Sequence, residues 1–505
     1  MSSDIILATL NARYIHAAFG LRYLKANLNE LEASTTICEF TLEQRPLDIA
    51  ERILSYQPEI VGLGVYIWNV QQCLETAALI KKIAPQVKLV LGGPEVSYEQ
   101  DEQEICRLAD YVLSGPAEGE FYTLCKALLD GATPGYSPAL TLDEIKLPYY
   151  LYSDEDLKHR ILYVEASRGC PFKCEFCLSA LDRTAKPFVL EAFLQQMDGL
   201  YQRGARHFKF VDRTFNLSTK VSLPIMQFFL DRMQSDPQQN DIFVHFEVIP
   251  DRLPESLKAM ITQFPPGSLQ FEVGVQTFNP EVQAIIQRKQ DNLRTEQNLD
   301  WLCQHSPAHI HTDLIFGLPG EGMGSMANSF NKLVALGPDE IQLGILKRLR
   351  GMPMAQHEAE YKLIFNPNPP YDILSTRDVS FEEMQKLRRM ARYWDIVANS
   401  GRFKESLARV LGDSPFDQFM RLSEWLYMTT GQTHKISLKR MFDLLFDALT
   451  TEFELDKDSA KACLRADYER SGIKGLPQCL LASRSQSNKG KRAMSANKRQ
   501  RAHIG

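Results

Sequence analysis

Hydrophobic positions in the first 130 residues alternate between two patterns. IILATL (5–10), TTICEF (35–40), IVGLGVYI (60–67), VKLVLGG (87–93) and YVLSG (111–115) are short, nearly unbroken apolar runs. Such runs read as strands covered on both faces. The stretches after them, among them AAFGLRYLKANLNEL, PLDIAERILSY and EGEFYTLCKALL, repeat their apolar residues at helical spacing. This alternation predicts an α/β, doubly wound, Rossmann-like domain over residues 1–130, whose five-stranded parallel sheet binds ligands at the carboxyl ends of its strands. Residues 131–160 are rich in Pro, Gly, Tyr and acids and read as a linker. The alternation resumes with ILYVEA, HFKFVD, DIFVHFEVI, LQFEVGVQ, HIHTDLIFGLPG and DEIQLGIL. Six such strands suit a partial (β/α)6, TIM-like barrel, with its extension ending at 374.

Near residue 375 the period turns helical. Ser380 and Glu383 form a capping box, and Met384, Leu387, Met390, Trp394 and Val397 share one helix face. Further helices are expected from Ser414-Pro415 to Gly431 and from Ser437 onward. Residues 375–480 therefore read as an all-α domain, and 481–505 as a disordered basic tail.

With 44% hydrophobic and 24% charged residues, the 505-residue chain is neither fibrous nor largely disordered. No apolar run nears the roughly 20 residues of a membrane span. MSSDIILATLN lacks the basic and long apolar regions of a signal peptide, so a cytoplasmic location without membrane contact is expected. The net charge is −6, yet seven Lys/Arg and no acid lie from Arg484 onward, so the body is more acidic still. An acidic body argues against a nucleic-acid partner. The tail either meets RNA or an acidic partner or stays solvated.

Seven of the ten cysteines are scattered and read as buried apolar residues. Cys170, Cys174 and Cys177 stand together in SRGCPFKCEFCLSA, directly after the strand ILYVEA. A structural zinc site would want a fourth Cys or His, and the next cysteine is Cys303. Three thiolates suit a [4Fe-4S] cluster that keeps one iron open for chemistry.

C-x-x-x-C-x-Φ-C, with Phe176 as the aromatic, resembles the signature of radical S-adenosylmethionine (SAM) enzymes. The resemblance implies a cluster held by Cys170, Cys174 and Cys177, whose open iron chelates SAM. Reductive cleavage there releases a 5′-deoxyadenosyl radical, which calls for a low-potential electron donor of flavodoxin or ferredoxin type. FEVGVQTFNP (271–280) resembles the family's E-x-G-x-Q-S/T segment, so Glu272 and Gln276 are carried over as SAM-binding. FVDRTFN (210–216) resembles the second barrel strand, which nominates Asp212 and Arg213 as catalytic and adds Asn216. DLIFGLPGE (313–321) resembles the strand end beside the adenosine and nominates Asp313 and Gly317. Glu247, in HFEVIPD, is a candidate SAM contact or a strand-end salt bridge. Lys347, at the end of the sixth strand, suits a substrate anion or a salt bridge.

The first domain is similar to the cobalamin-binding domain of one branch of these enzymes. Gly64 and Val65, Gly92 and Gly93, and Glu118 and Gly119 follow three of its strands. Glycines there let a backbone approach a bulky flat ligand. D-x-H-x-x-G is missing, and His16 in RYIHAAFG has the wrong spacing, so cobalamin without a protein histidine ligand is implied. Lys347 and the segments around it (341–354 and 366–374) resemble a subgroup of unassigned reaction. The branch implies methylation of an unactivated carbon of an unknown small-molecule substrate. Radical rearrangement, cyclisation or oxidation, or a non-catalytic cluster- and corrinoid-binding sensor, are the alternatives.

Overall fold

Five parallel strands form the first sheet: β1 (Ile5–Asn11), β2 (Thr35–Thr41), β3 (Ile60–Gly64), β4 (Lys88–Gly92) and β5 (Tyr111–Val112), in the order β2-β1-β3-β4-β5. The computed structural model describes residues 3–135, 138–235 and 241–481. Period-2 side-chain alternation splits β1 between two cores. Ile5 and Leu7 pack with Leu21, Phe121 and Leu124, whereas Ile6, Ala8 and Leu10 pack with Ile49, Ile53, Ala77 and Ile80. Helices therefore cover both faces, and each fully buried Leu or Ile contributes about 1.5–3 kcal/mol. The strand order reverses between β1 and β3, which opens a crevice at the carboxyl ends.

Residues 131–160 contain a short helix, Asp154–His159, opened by a capping box between Ser153 and Asp156. Asp156 is buried and pairs with Arg22 at 2.8 Å, and Arg22 also binds Glu39 at 2.7 Å.

β6 (Leu162–Val164) begins the second sheet. Two short strands, β7 (Ser167–Arg168) and β8 (Lys186–Pro187), pair antiparallel and close the base of the cysteine loop. β9 (His207–Phe210), β10 (Phe243–Val248), β11 (Leu269–Gln276), β12 (His309–Phe316) and β13 (Glu340–Ile345) follow, all parallel in the order β13-β12-β11-β10-β9-β6. The six strands are those read from the sequence. Phe208, Phe210 and Phe246 are buried on one face, and the Phe208 ring lies 5.0 Å from that of Phe229 in the helix Thr219–Ser235. The alternate residues are polar: Lys209 lies 3.6 Å and His245 3.1 Å from Glu272, and His311 lies 3.5 Å from Asp313.

Beyond β13 the chain crosses a hairpin of β14 (Ile364–Phe365) and β15 (Ile373–Ser375) and enters the helix Phe381–Val397. Its capping box and its buried Met384, Leu387, Met390, Trp394 and Val397 are as the periodicity predicts. The chain divides into two compact units, Met1–Gly401 with Leu411–Glu424, and Arg402–Val410 with Trp425–Gly505. The helix Phe381–Val397 thus lies in the first unit, because Trp394 packs on Phe330 and Phe419 at ring separations of 4.7 and 4.8 Å. In the second unit, buried Asp467 accepts hydrogen bonds from the Glu405 and Ser406 amides, both at 2.9 Å. The basic tail, from 482 on, lies outside the described residues. Among these residues no helix is long and apolar enough to cross a membrane.

Gly93 carries φ +111°, and a Cβ there would stand 2.4 Å from the Val65 carbonyl oxygen. Gly93→Ala is therefore expected to destabilise the protein by roughly 1–3 kcal/mol, read as a lower thermal midpoint. Gly199→Ala, in the helix Leu190–Gln202 with open space around it, should leave the midpoint unchanged or raise it.

Candidate active site

The cysteine loop is shaped before any metal is considered. Gly169 adopts φ +89° with Ala185 N 2.7 Å from its Cβ position, so only glycine fits this crossing. The Cys170 amide donates to Asp182 O at 2.7 Å, and the Cys177 amide to Cys174 O at 3.1 Å. Cys170, Phe176, Cys174 and Cys177 line one side of a cavity of about 240 Å³, and Arg213, Glu247, Glu272, Gln276 and Asp313 line another. The loop after β6 and the ends of β9 to β12 thus converge on one space.

Burial raises the Cys170 and Cys174 thiols, and Arg288 Nη1 lies 3.9 Å from Cys174 Sγ, where its charge opposes that rise. Among the described residues no three His, Cys, Asp or Glu side chains gather tightly enough for a single ion. Three loop thiols facing a common space fit a multi-iron cluster instead, in which separate irons take separate thiolates.

Burial would raise Glu272, but the close His245 imidazole and the Lys209 charge outweigh it and hold the carboxyl down at about 2. Asp313 is driven well above the carboxylate range by burial and then by Glu272 and Glu247. Its Oδ1 accepts no hydrogen bond. Gln276 sits at φ +70°, a left-handed backbone costing on the order of 1–3 kcal/mol. There the register of β11 shifts, and the Gln276 amide folds over Gly274. Arg213 binds Glu247 at 2.8 Å, so Glu247 is both cavity wall and salt bridge.

Several sequence-nominated residues do other work. Asp212 lies off the cavity wall: its carboxylate accepts from the Ala166 amide at 2.9 Å and the Ser167 hydroxyl at 2.6 Å. It thereby holds the start of the cysteine loop. Asn216 likewise binds the Ile249 amide at 2.7 Å and positions the segment after β10. Gly317 lines neither this cavity nor the next. Its φ is +90°, and a Cβ would meet Ile373 Cγ2 at 2.6 Å, so it is glycine for packing. Lys347 forms a salt bridge to Asp372 at 2.5 Å.

A second cavity, of about 340 Å³ and open on one side, lies at the carboxyl ends of β3 to β5. Gly64, Gly92, Gly93 and Glu118 line it, together with Tyr23, Tyr66, Glu165 and Arg168. Val65 and Gly119 do not. Val65 is fully buried in the core, and Gly119 is fixed by Leu140, 2.9 Å from its Cβ position. At Gly92 an added Cβ would meet nothing nearer than 4.0 Å, and at Gly115 nothing within 4 Å. These two glycines leave a cradle that side chains would narrow, which fits a large ligand resting on the strand ends. His16 bonds the Tyr163 hydroxyl at 2.7 Å and is not among the lining residues.

Residues missed in the sequence include Arg168, Glu165 and Arg288. Arg168 pairs with Glu118 at 2.7 Å and with Glu165 at 3.0 Å. None stands in a spaced motif, so only the fold reveals them.

Residues 5–124 match the family described as B12 binding domain, residues 164–333 the Radical SAM superfamily, and residues 359–504 a family of unknown function, DUF4080. The chain is 29% identical over 243 residues to the uncharacterized methyltransferase PH0819 of Pyrococcus horikoshii, covering 42% of this chain and 53% of that one. It is 24% identical over 327 residues to the cobalamin-dependent radical SAM methyltransferase TokK of Streptomyces tokunonensis, covering 57% of this chain and 47% of that one. The chain spans about half the length of these curated relatives. Its fold is similar to that of the cobalamin-dependent radical SAM enzyme OxsB, solved with aqua-cobalamin and SAM bound, at a TM-score of 0.59 and 13% identity over 93% of this chain and 84% of that one. A B12-binding sheet joined to a radical SAM barrel defines the class. The chain thus carries a B12-binding domain followed by a Radical SAM superfamily domain. The cofactors of that class are a [4Fe-4S] cluster, SAM and cobalamin.

Burial holds the Asp212 carboxyl up at about 7 against an ordinary 3.8. Between those values the folded protein keeps a proton that the unfolded chain has released, so this group costs stability as pH rises across the window. Asp212→Asn, which can still accept from the Ala166 amide, is expected to gain on the wild type from pH 4 to pH 7, by on the order of 1–4 kcal/mol. Calorimetric midpoints of both proteins at several pH values check this.

Proposed function

We propose that the protein is a cobalamin-dependent radical SAM methyltransferase acting on an unactivated carbon of a small-molecule substrate. One observation carries this reading: the cysteine-lined cavity and the glycine-edged cavity flank a single short segment, Arg168 to Cys170. When bound, the cofactors supply hydrogen abstraction at one site and a methyl donor at the other. Cys170, Cys174 and Cys177 would hold the cluster; Glu272, Gln276 and Asp313 would face SAM, and Gly64, Gly92 and Gly93 would face the corrinoid. Phe176 and the half-buried loop around it would limit water at the cluster. Arg213, held by Glu247, presents a cation at the cavity wall that can orient a substrate anion. Ten free cysteines suit a reducing cytoplasm, where a flavodoxin or ferredoxin type donor would supply the electron.

Reconstituted without oxygen and given dithionite and SAM, the protein is expected to yield 5′-deoxyadenosine, and Cys174→Ala to yield none above the blank. Chromatography of the products checks this, and equal yields from both proteins would refute radical cleavage at this loop. S-adenosylhomocysteine formed alongside, with corrinoid bound, marks methyl transfer. Its absence points to radical chemistry of another kind.

A further inference from the structure

We propose that residues 346–378 act as a strap that couples the glycine-edged cavity to the cysteine loop, so that a corrinoid in the first steadies the second. The inference rests on the reading above and concerns positioning residues, none of which lines the cysteine cavity.

One end of the strap grips the turn after β4. Arg350 Nε binds Glu95 at 3.1 Å, Arg350 Nη1 binds Glu99 at 2.9 Å, and the Tyr371 hydroxyl donates to Glu95 at 2.7 Å. Gly351 lies against the Tyr98 ring, 2.4 Å from its Cβ position, so no larger residue fits. Glu95 is only 3% exposed and stands two residues after Gly93, which lines the glycine-edged cavity. The other end grips the cysteine loop. His357 Nε2 binds Glu175, which is 2% exposed and adjacent to Cys174. The same carboxylate takes the Gln287 amide, and the Glu175 N–H donates to Ile286 O at 3.1 Å.

Between the ends, Arg348 bridges Glu99 at 3.0 Å and Glu358 at 2.9 Å. Glu358 follows His357 directly. One arginine and two consecutive residues therefore connect the turn beside one cavity to the carboxylate beside Cys174. A buried carboxylate robbed of its partner is strongly unfavourable. Glu95 takes Arg350 and Tyr371, and Glu175 takes His357 beside Gln287, so this one segment supplies a partner to each buried carboxylate. A ligand that immobilises the Gly92–Gly93 turn favours the seated strap, and the reciprocal effect on the loop follows from linkage.

The test follows iron loss to a chelator from the reconstituted protein, with and without bound hydroxocobalamin. Corrinoid uptake and starting iron content are measured first. In the wild type the corrinoid is expected to slow iron loss about fivefold or more. Arg348→Gln is expected to assemble the cluster and take up corrinoid yet lose most of that protection, and Arg348→Lys to recover part of it. Glu358→Gln, altered at a half-exposed carboxylate, should behave as Arg348→Gln does and serves if the arginine variant fails to fold. Protection undiminished in the variant that folds, or absent from a wild type that has bound corrinoid, overturns the coupling while leaving the proposed function standing. A wild type that takes up no corrinoid overturns both.

Discussion

Arg168 is the point on which the two cavities depend. Its guanidinium lies between Glu118, at the first turn of a helix in the first domain, and Glu165, at the end of the first barrel strand, and 4.4 Å from the Tyr23 ring centre. The side chains of all three charged residues are largely buried, at 15%, 7% and 14% exposure. Breaking such a group by removing one partner is costly, because it leaves a buried charge uncompensated. Arg168 stands two residues before Cys170, so the cysteine loop starts from a residue fixed to both domains.

Arg22 supports the same join from below. It pairs with Glu39 of β2 and with Asp156 of the linker, and Arg160 also reaches Glu39, at 2.8 Å. Replacing buried ion groups of this kind with apolar residues is often neutral or stabilising elsewhere, so their contribution here is better sought in geometry than in stability. An apolar interface can slide, whereas a carboxylate shared by two arginines sets one alignment. The aromatic rings around this join, including Tyr149 stacked 6.0 Å from Phe19, supply the apolar burial that the ions do not.

Much of this was legible in the sequence because period-2 and period-3.6 patterns survive folding unchanged. All eleven strands of the two parallel sheets fall on runs that read as strands. The cysteines, Glu272, Gln276 and Asp313 were legible by motif, and all line one cavity. Motif position does not reveal which way a strand-end side chain turns. Asp212 and Gly317 lie in family-like stretches, yet one turns under the cysteine loop and the other is filled in by Ile373 and Met384. Val65 and Gly119 each neighbour a lining residue but face a packed side. The strap was illegible because its partners lie far off in sequence, as Glu95 and Arg350 do. The helix Phe381–Val397 was read correctly as a helix, but a helix face does not state which neighbour will cover it.

The polar interior of the barrel completes the argument. Glu247, Glu272 and Asp313 share the cavity with Arg213 and Arg288, and two carboxylates already raise the third. Burial is the larger cause of that rise, and Arg288 and Lys209 oppose it only in part. A unit positive charge about 5 Å from a carboxylate, at an effective dielectric near 20, is worth about 3 kcal/mol, or about two pKa units. A sulfonium carries one such charge, and an amino group carries another. The same acids would repel an anion from the inner wall, whereas Arg213, at the exposed edge, is a cation held by Glu247. The carboxylates of β11 and β12 thus face the inner wall, while the Arg213 guanidinium stands at the end of β9.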